Sequence, residues 1–214
     1  GMRGDMQAIA DQLIDEWIDD GEVDLLNRLC VPLPIYVIAD QLGVPRSELA
    51  LLKKWSDAST SRLGRLADEE QQIQNAKDIV EYQHYFADLI DRMRDQPEDN
   101  IISDLANNTI DEGRLLTKAE ALGMIQQILV AGNETSTNAI AGGVVLLIEN
   151  PEEQAKLRAN PDLIPTAVEE ILRLETPTSG MWRRATEDTE IDGVAIPEGS
   201  FLMVRFAAGN RDES

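Results

Sequence analysis

The chain has 214 residues, enough for one domain, and its 4% aromatic content favours a core of aliphatic side chains in helices over a sandwich of strands. A formal net charge of −21 argues against nucleic acids and anionic membrane surfaces as partners, because their phosphates would repel the protein. The single cysteine, Cys30, and the single histidine, His84, provide neither an internal disulfide nor a protein-only metal site, and a cytoplasmic location fits this composition.

The first two thirds of the chain are predicted to form helices in series. Apolar residues recur near the 3.6-residue period of a helix, and glycine or proline ends most of these stretches. Cys30 lies among them in a proline-flanked context, which favours a buried structural thiol. The predicted helices cover about 9–18, 34–43, 45–55, 67–94 and 101–107.

A much longer helix is predicted from Thr117 to Asn150. Thr117 and Glu120 have the spacing of a capping box, in which each side chain accepts a hydrogen bond from the other residue's backbone amide. The stretch 124–148 is apolar nearly all round, so we expect this helix to be buried.

The middle of the long helix, residues 132–138, is polar. We expect a local break in the helix there, because Gly132 weakens a helix and the Thr135 hydroxyl can bond the carbonyl of Ala131. A helix that crosses a wet crevice, with these polar residues simply solvated, explains the local pattern equally well.

After the long helix the pattern changes. Two shorter helices follow, the second at about 162–174, and alternation at 190–197 with a β-prone run at 201–206 predicts a few short strands. The predicted fold class is mainly α with a few short β-strands at the C-terminal end. One domain would cover the whole chain, helical over 1–175 and mostly strands and loops over 176–214.

Three motifs in sequence order carry a resemblance to a known family. Residues 131–135 resemble the acid-alcohol motif (A/G-G-x-D/E-T) that cytochromes P450 carry on their long central helix. Glu170 and Arg173 match the E-x-x-R pair that follows in that family, and the run from Pro177 to Asp212 is similar to the strand region of bacterial members. The resemblance covers nearly the whole chain from about Asp5, and it implies a cytochrome P450-like helical core.

The resemblance also implies roles for individual residues. In the family, the acid and the hydroxyl of this motif relay protons to dioxygen on the haem iron, which gives these roles to Glu134 and Thr135. The small residues Ala131 and Gly132 would leave room beside the haem. Arg183 falls where the family places an arginine against a haem propionate.

Two of these implied roles have alternatives. The neighbouring Arg184 leaves the register around Arg183 open, and two arginines on a strand edge are the plain structural explanation. Glu170 and Arg173 are three residues apart, so a solvated surface ion pair is the default for them. By resemblance they would be buried beside the haem, with a third partner in a later loop that this sequence does not contain.

The family binds haem iron through a cysteine in an F-x-x-G-x-x-x-C loop, and Cys30 does not match that loop. We interpret the chain as a central fragment that lacks the N-terminal part and the cysteine loop. The resemblance implies that its parent is a haem-dependent monooxygenase, which hydroxylates a small apolar substrate with dioxygen and electrons from a ferredoxin-type donor. The chain alone is expected to bind no haem, to be inactive and to self-associate. The alternative is a haem-free helical binding or interaction protein of the same ancestry.

Overall fold

The computed structural model describes residues 2–64, 68–110 and 113–213, and it confirms a mainly α fold with short strands near the C-terminal end. A π-helical turn, Leu26–Cys30, precedes α2, and 3-10 turns precede α3 and α8. The helices are α1 (Met2–Asp15), α2 (Pro32–Leu42), α3 (Leu49–Gly64), α4 (Glu69–Asp95), α5 (Ile101–Asn107), α6 (Lys118–Glu149), α7 (Pro151–Ala159), α8 (Ile164–Glu175) and α9 (Phe206–Gly209). The strands are β1 (Met181–Arg184), β2 (Thr189–Ile191), β3 (Val194–Ile196) and β4 (Phe201–Val204).

Helix ends follow the local chemistry of the sequence. Helix α2 ends at Gly43 as predicted, where a φ of 67° suits glycine and the Gly43 amide donates back to the end of the helix. Helix α4 begins after Asp68, whose carboxylate accepts a hydrogen bond from the Gln71 amide at 2.8 Å. The predicted start of this helix at Ala67 lies outside the described residues.

The predicted capping box at the start of α6 is confirmed. The Glu120 amide donates to Thr117 Oγ1 at 3.3 Å, and the Thr117 amide donates to Glu120 Oε2 at 2.9 Å. Arg114 adds an ion pair to the same carboxylate at 2.8 Å. The hydrogen bond from Arg114, followed by the bonds from Thr117, lowers the pKa of Glu120 to about 2. The start of α6 is therefore held by a charged carboxylate at neutral pH.

The chain divides into two compact units, an N-terminal unit up to Thr137 and a C-terminal unit from Asn138. The N-terminal unit has a continuous apolar core from α2, α3, α4, α5 and the first half of α6. Aromatic rings of α3 and α4 form its centre, with Trp55 edge-on to Phe86 at a centroid distance of 5.8 Å. The largest fully buried side chains include Trp55, Phe86, Leu42, Leu52, Leu89, Ile90, Ile102, Ile125 and Leu129.

Helix α6 is not buried on all sides, so the expectation that this apolar helix is buried is wrong for one of its faces. In the N-terminal unit its buried residues recur every fourth position: Ala121, Ile125, Leu129, Asn133 and Thr137. The opposite face is open among the described residues, since Met124 is 46% exposed there and Ala131 is also exposed. None of the described helices is long and apolar enough to cross a bilayer.

In the C-terminal unit, α8 packs closely against the second half of α6. Gly143 makes this approach possible, because a Cβ atom there would lie 2.9 Å from Cγ2 of Ile171. Gly142 lies in the same way against the side chain of Glu175. Two small residues in succession therefore set the distance between α6 and α8.

The strands of the C-terminal unit form two antiparallel pairs. Strand β1 pairs with β4, with Arg183 opposite Leu202, and β2 pairs with β3 around the turn at Gly193. All four residues of β1 are exposed. Among the described residues of this unit, no apolar side chain belongs to the buried core.

Candidate functional site

The residues that resemble an acid-alcohol motif lie near the middle of α6, in the N-terminal unit. Ala131 and Thr135 are one turn apart on the open side of the helix, with Ala131 exposed and Thr135 half-buried. The Thr135 hydroxyl donates to the Ala131 carbonyl at 2.6 Å, as its spacing predicts. A small residue and a hydroxyl thus share one accessible stretch of α6.

The predicted break in α6 is absent, and that expectation was wrong. The helix is continuous from Lys118 to Glu149, through Gly132 and Thr135. The Thr135 hydroxyl bond therefore adds to the helix without interrupting it, because a carbonyl oxygen has two lone pairs and can accept twice.

Gly132 lies against helix α2. A Cβ atom at Gly132 would be 3.2 Å from Cδ1 of Ile38, so the lack of a side chain allows α2 to pack closely there. The structure thus gives Gly132 a packing reason within the N-terminal unit. Ala131 is the small residue of the motif that faces the open side.

The Glu134 carboxylate is exposed and is directed toward helix α3. Thr60 Oγ1 donates to Glu134 Oε1 at 2.9 Å, across 74 positions of sequence. Thr60 was not predicted from the sequence, because the local pattern of α3 gives no indication of a hydrogen bond to a residue so distant in sequence. Thr60 is therefore an additional candidate for the site.

Next to Glu134, Asn133 belongs to the buried stripe. Asn133 Nδ2 donates to Ser56 Oγ at 3.1 Å, and both residues are 1% exposed or less. One turn further along α6, Thr137 Oγ1 donates to the Cys30 carbonyl at 3.0 Å. The polar residues that follow Gly132 on the inner side of α6 are thus satisfied by hydrogen bonds, as buried polar groups require.

Glu170 and Arg173 form an ion pair on α8, with Arg173 Nη2 2.6 Å from Glu170 Oε1. The hydrogen bond between them lowers the pKa of Glu170 and raises that of Arg173. Both side chains are about half exposed in this chain, and not buried as the resemblance implies. Arg173 Nη1 also donates to the Asn210 carbonyl at 2.6 Å, which is a different contact from the later-loop partner that the resemblance implies.

The two neighbouring arginines of β1 differ in their contacts. Arg184 lies over the ring of Phe201, with its guanidinium carbon 5.9 Å from the ring centroid. Arg183 is exposed, and its Nη1 donates to the carbonyl of the adjacent Trp182 at 3.0 Å. Since side chains alternate along a strand, the two guanidinium groups leave β1 on opposite faces. Arg183 is therefore the more available of the two for an anionic ligand.

Haem iron requires an axial ligand with a free lone pair. Cys30 is fully buried, and desolvation raises the pKa of its thiol, which disfavours the thiolate that binds iron. His84 is exposed on α4, and no group of three or more His, Cys, Asp or Glu side chains that could hold a metal occurs among the described residues. Ala131 and Thr135 on the open side of α6 fit a wall beside haem, whereas the buried Cys30 thiol does not fit an axial iron ligand.

The fold, the long helix with its motif and the E-x-x-R pair together define a known class of protein. The family profile for Cytochrome P450 matches residues 66–214. The chain belongs to the cytochrome P450 family.

Similar proteins cover the chain almost completely. Cytochrome P450 monooxygenase PikC of Streptomyces venezuelae is 38% identical over 213 residues, which is 98% of this chain and 50% of that protein. The 6-deoxyerythronolide B hydroxylase of Saccharopolyspora erythraea is 36% identical over 99% of this chain and 51% of its own length. The chain thus spans about half the length of the curated relatives it matches.

Similar solved structures also cover nearly all of this chain, while the chain covers about half of each of them. The chain superimposes with a TM-score of 0.89 on the cytochrome P450 PksS of the Bacillus subtilis 168 bacillaene polyketide synthase, at 31% identity. That alignment covers 99% of this chain and 53% of the solved one. The ligand-free cytochrome P450 TbtJ1 aligns with a TM-score of 0.90 at 34% identity, over 99% and 56% of the two chains.

Proposed function

We propose that this chain forms the distal wall and the proton-relay part of a haem-dependent monooxygenase. The parent protein would hydroxylate a small apolar substrate in the cytoplasm, with dioxygen and with electrons from a ferredoxin-type donor. The observation that carries the proposal is the bond from Thr135 to the Ala131 carbonyl on the open side of α6, with the Glu134 carboxylate next to it. Membership of the cytochrome P450 family supports it.

Within this proposal, each residue of the acid-alcohol motif that is named below, and Arg183, has one role. Haem, when bound in the parent, supplies the oxygen activation. Thr135 holds a proton on Oγ1 at the open side of α6, and Glu134 exchanges protons with water at its exposed carboxylate. Ala131 keeps the side chain short beside the hydroxyl, while Gly132 seats α6 against Ile38. Arg183 would hold an anionic group through a charge-assisted contact.

The proposal assigns no iron ligand to this chain, which can be tested by haem reconstitution. The purified chain is mixed with haemin, reduced and exposed to carbon monoxide, and the difference spectrum is recorded. We expect no thiolate-type Soret band, because Cys30 is buried and its thiol is held neutral. In a second arm, the chain is co-expressed with the two parts of the Streptomyces venezuelae relative that it lacks, the N-terminal part and the part with the cysteine loop, and a thiolate-type band is expected.

A contrary result in each arm of this experiment would contradict a different part of the proposal. A thiolate-type band from the chain alone would show that the chain does supply an axial ligand. A complemented sample that stays free of haem would count against the role of α6 as a haem wall. Cys30→Ser is the matched control, and it should leave both spectra unchanged.

A second candidate function is a haem-free helical binding or interaction protein of the same ancestry. One observation favours it: α8 carries a stripe of apolar side chains, Ile164, Val168 and Leu172, that are 39–49% exposed. Such a stripe suits association with another polypeptide, including a second copy of this chain.

A further inference from the structure

We propose that Trp55 and Tyr85 form a one-electron redox pair, in which Tyr85 reduces an oxidised Trp55 and the Glu48 carboxylate takes the phenolic proton. The pair lies in the N-terminal unit, with Trp55 on α3, Tyr85 on α4 and Glu48 in the 3-10 turn that precedes α3. This activity is separate from the proposed monooxygenase function, because it uses neither haem nor the acid-alcohol motif.

The two rings are close enough for an electron to pass directly between them. The ring centroids of Trp55 and Tyr85 are 5.1 Å apart, with 48° between the ring planes. Phe86 packs against both rings, at centroid distances of 5.8 Å from Trp55 and 5.0 Å from Tyr85. Trp55 is fully buried, whereas Tyr85 is half-buried at the edge of the core. An electron vacancy at Trp55 can therefore move outward to Tyr85 in one step.

The Tyr85 hydroxyl has a proton acceptor in place, because it donates a hydrogen bond to Glu48 Oε2. Burial, followed by this bond, raises the pKa of Tyr85, so the phenol keeps its proton at neutral pH. A phenol becomes a strong acid once its ring loses an electron, and a carboxylate within hydrogen-bond reach can then take the proton. The proton therefore leaves Tyr85 only together with the electron.

Tyr82 has a similar place beside Trp55 but no such acceptor. The ring centroids of Tyr82 and Trp55 are 6.0 Å apart, and the Tyr82 hydroxyl donates to the Leu122 carbonyl at 2.7 Å. A backbone carbonyl accepts a hydrogen bond, but it is too weak a base to hold a proton at neutral pH. Oxidation of Tyr82 would leave an unpaired positive charge in a buried position, which is costly. The position of Glu48 thus selects Tyr85 as the electron donor.

Trp55 has a poorer proton acceptor than Tyr85 has. Its Nε1 donates to Glu81 Oε2 at 3.4 Å, which is longer than the usual range for such a bond. The same carboxylate oxygen accepts a hydrogen bond from the Lys54 ammonium, which lowers the pKa of Glu81. A carboxylate with a lowered pKa is a weaker base, so an oxidised Trp55 keeps its proton and remains the stronger oxidant of the pair. The electron therefore moves from Tyr85 to Trp55.

The transfer balances in electrons and protons. A strong one-electron oxidant removes an electron from Trp55 and leaves its radical cation. One electron then moves from Tyr85 to Trp55, the O–H bond of Tyr85 breaks, and Glu48 becomes a carboxylic acid beside a neutral tyrosyl radical. Tyr85 and Glu48 are both half-buried, so a small-molecule thiol can supply an electron there while Glu48 returns the proton. The thiol is oxidised to a thiyl radical and releases its own proton to water.

The pair is tested by laser photoionisation of the 214-residue chain at neutral pH, at a wavelength that only tryptophan absorbs. Trp17→Phe and Trp182→Phe together leave Trp55 as the one tryptophan, and nitrate scavenges the ejected electron. Transient absorption should show the Trp55 radical decaying at the rate at which a tyrosyl radical grows. Tyr85→Phe should remove most of the tyrosyl signal and prolong the Trp55 radical. Tyr82→Phe is the matched control and should change neither.

Glu48→Gln separates the proton transfer from the packing, because glutamine still accepts the hydrogen bond but does not hold the proton. It should slow the transfer by about a hundredfold, the lower end of what a positioned base contributes. A tyrosyl radical that forms equally well in Tyr85→Phe would overturn the proposal, as would an equal loss in Tyr82→Phe or an unchanged rate in Glu48→Gln.

Two substitutes keep the test decisive if a variant does not fold by circular dichroism. Glu48→Gln replaces Tyr85→Phe, since it leaves every ring of the cluster in place. The wild type compared with Trp55→Phe replaces the single-tryptophan chain, and equal tyrosyl yields in these two would contradict the pair. None of these readouts uses haem, so their outcome is independent of the proposed monooxygenase function.

Discussion

At the scale of single residues, the site depends on which side of α6 each side chain leaves the helix. A small residue, an acid and a hydroxyl follow one another closely in the sequence, and in the structure their side chains point to different sides of α6. Ala131 and Thr135 take the open side, Asn133 is buried, and Glu134 is bonded to Thr60. The spacing of four residues was sufficient to predict the bond from Thr135 to Ala131. The partner of Glu134 was not predictable, because it is 74 positions away.

The buried bond between Asn133 and Ser56 gives a prediction at this scale. Asn133→Ala should lower the free energy of unfolding by about 2 kcal/mol, because it leaves a buried hydroxyl without a partner. The double variant Asn133→Ala, Ser56→Ala should lose less free energy of unfolding than the sum of the losses in the two single variants, because neither polar group then remains. Denaturant unfolding measures all three. Gln7→Ala, which removes an exposed bond to Asp11, is the control and should have little effect.

Strictly additive costs of Asn133→Ala and Ser56→Ala would contradict this account of the pair. They would mean that the two side chains contribute to stability independently of their hydrogen bond.

At the scale of elements, helix ends were predicted well and helix burial was not. Gly43 ends α2 and the Thr117–Glu120 box begins α6, because both signals act over a few residues. The apolar composition of α6 indicated burial on all sides, yet within the N-terminal unit only the stripe from Ala121 to Thr137 is buried. Amino-acid composition indicates that a helix face is apolar enough to be buried. It does not indicate whether another segment of the same chain packs against that face.

The capping box gives a prediction of how stability depends on pH. The pKa of Glu120 is lowered from an ordinary 4.5 to about 2, so the box stabilises the fold at pH values above 4.5 and loses this effect as pH falls toward 2. Glu120→Gln should therefore melt at a lower temperature than the wild type at pH 7. The difference should narrow as pH falls from 4.5 toward 2, when followed by circular dichroism.

The N-cap residue of the same box provides a companion measurement. Thr117→Ala should lower the free energy of unfolding by about 1 kcal/mol at neutral pH, as the loss of an N-cap hydroxyl does in other proteins. A Glu120→Gln melting temperature equal to the wild type at pH 7 would count against a stabilising role for the carboxylate. Glu153→Gln, in an exposed ion pair with Lys156 on α7, is the matched control.

At the scale of the whole molecule, the two units differ in how much of their apolar surface they bury. The N-terminal unit has a full core around Trp55 and Phe86, whereas the described part of the C-terminal unit has no apolar side chain in the buried core. Its exposed apolar residues include Ile148 at 67% and Val194 at 65%. Surface of this kind favours association, because burial of apolar area is the main driving force for it.

We expect the isolated chain to self-associate through the apolar stripe of α8. Light scattering over a range of concentrations should show a mass above that of one chain. Val168→Glu and Leu172→Glu should shift the chain toward a monomer, because they place charges on the stripe. The control is Ile73→Glu, at a residue of the N-terminal unit that is 52% exposed. A single-chain mass at high concentration would contradict this prediction.

The sequence by itself determined the helices, their caps, the family and the order of its motifs, because these depend on neighbours a few residues apart. Only the tertiary structure decided which side of α6 stays open, why Gly132 is small, and that Thr60 holds Glu134. It also showed that Arg184 lies over Phe201 while Arg183 does not. The physical reason is that such contacts join residues far apart in the chain, and no local pattern records which of them will meet.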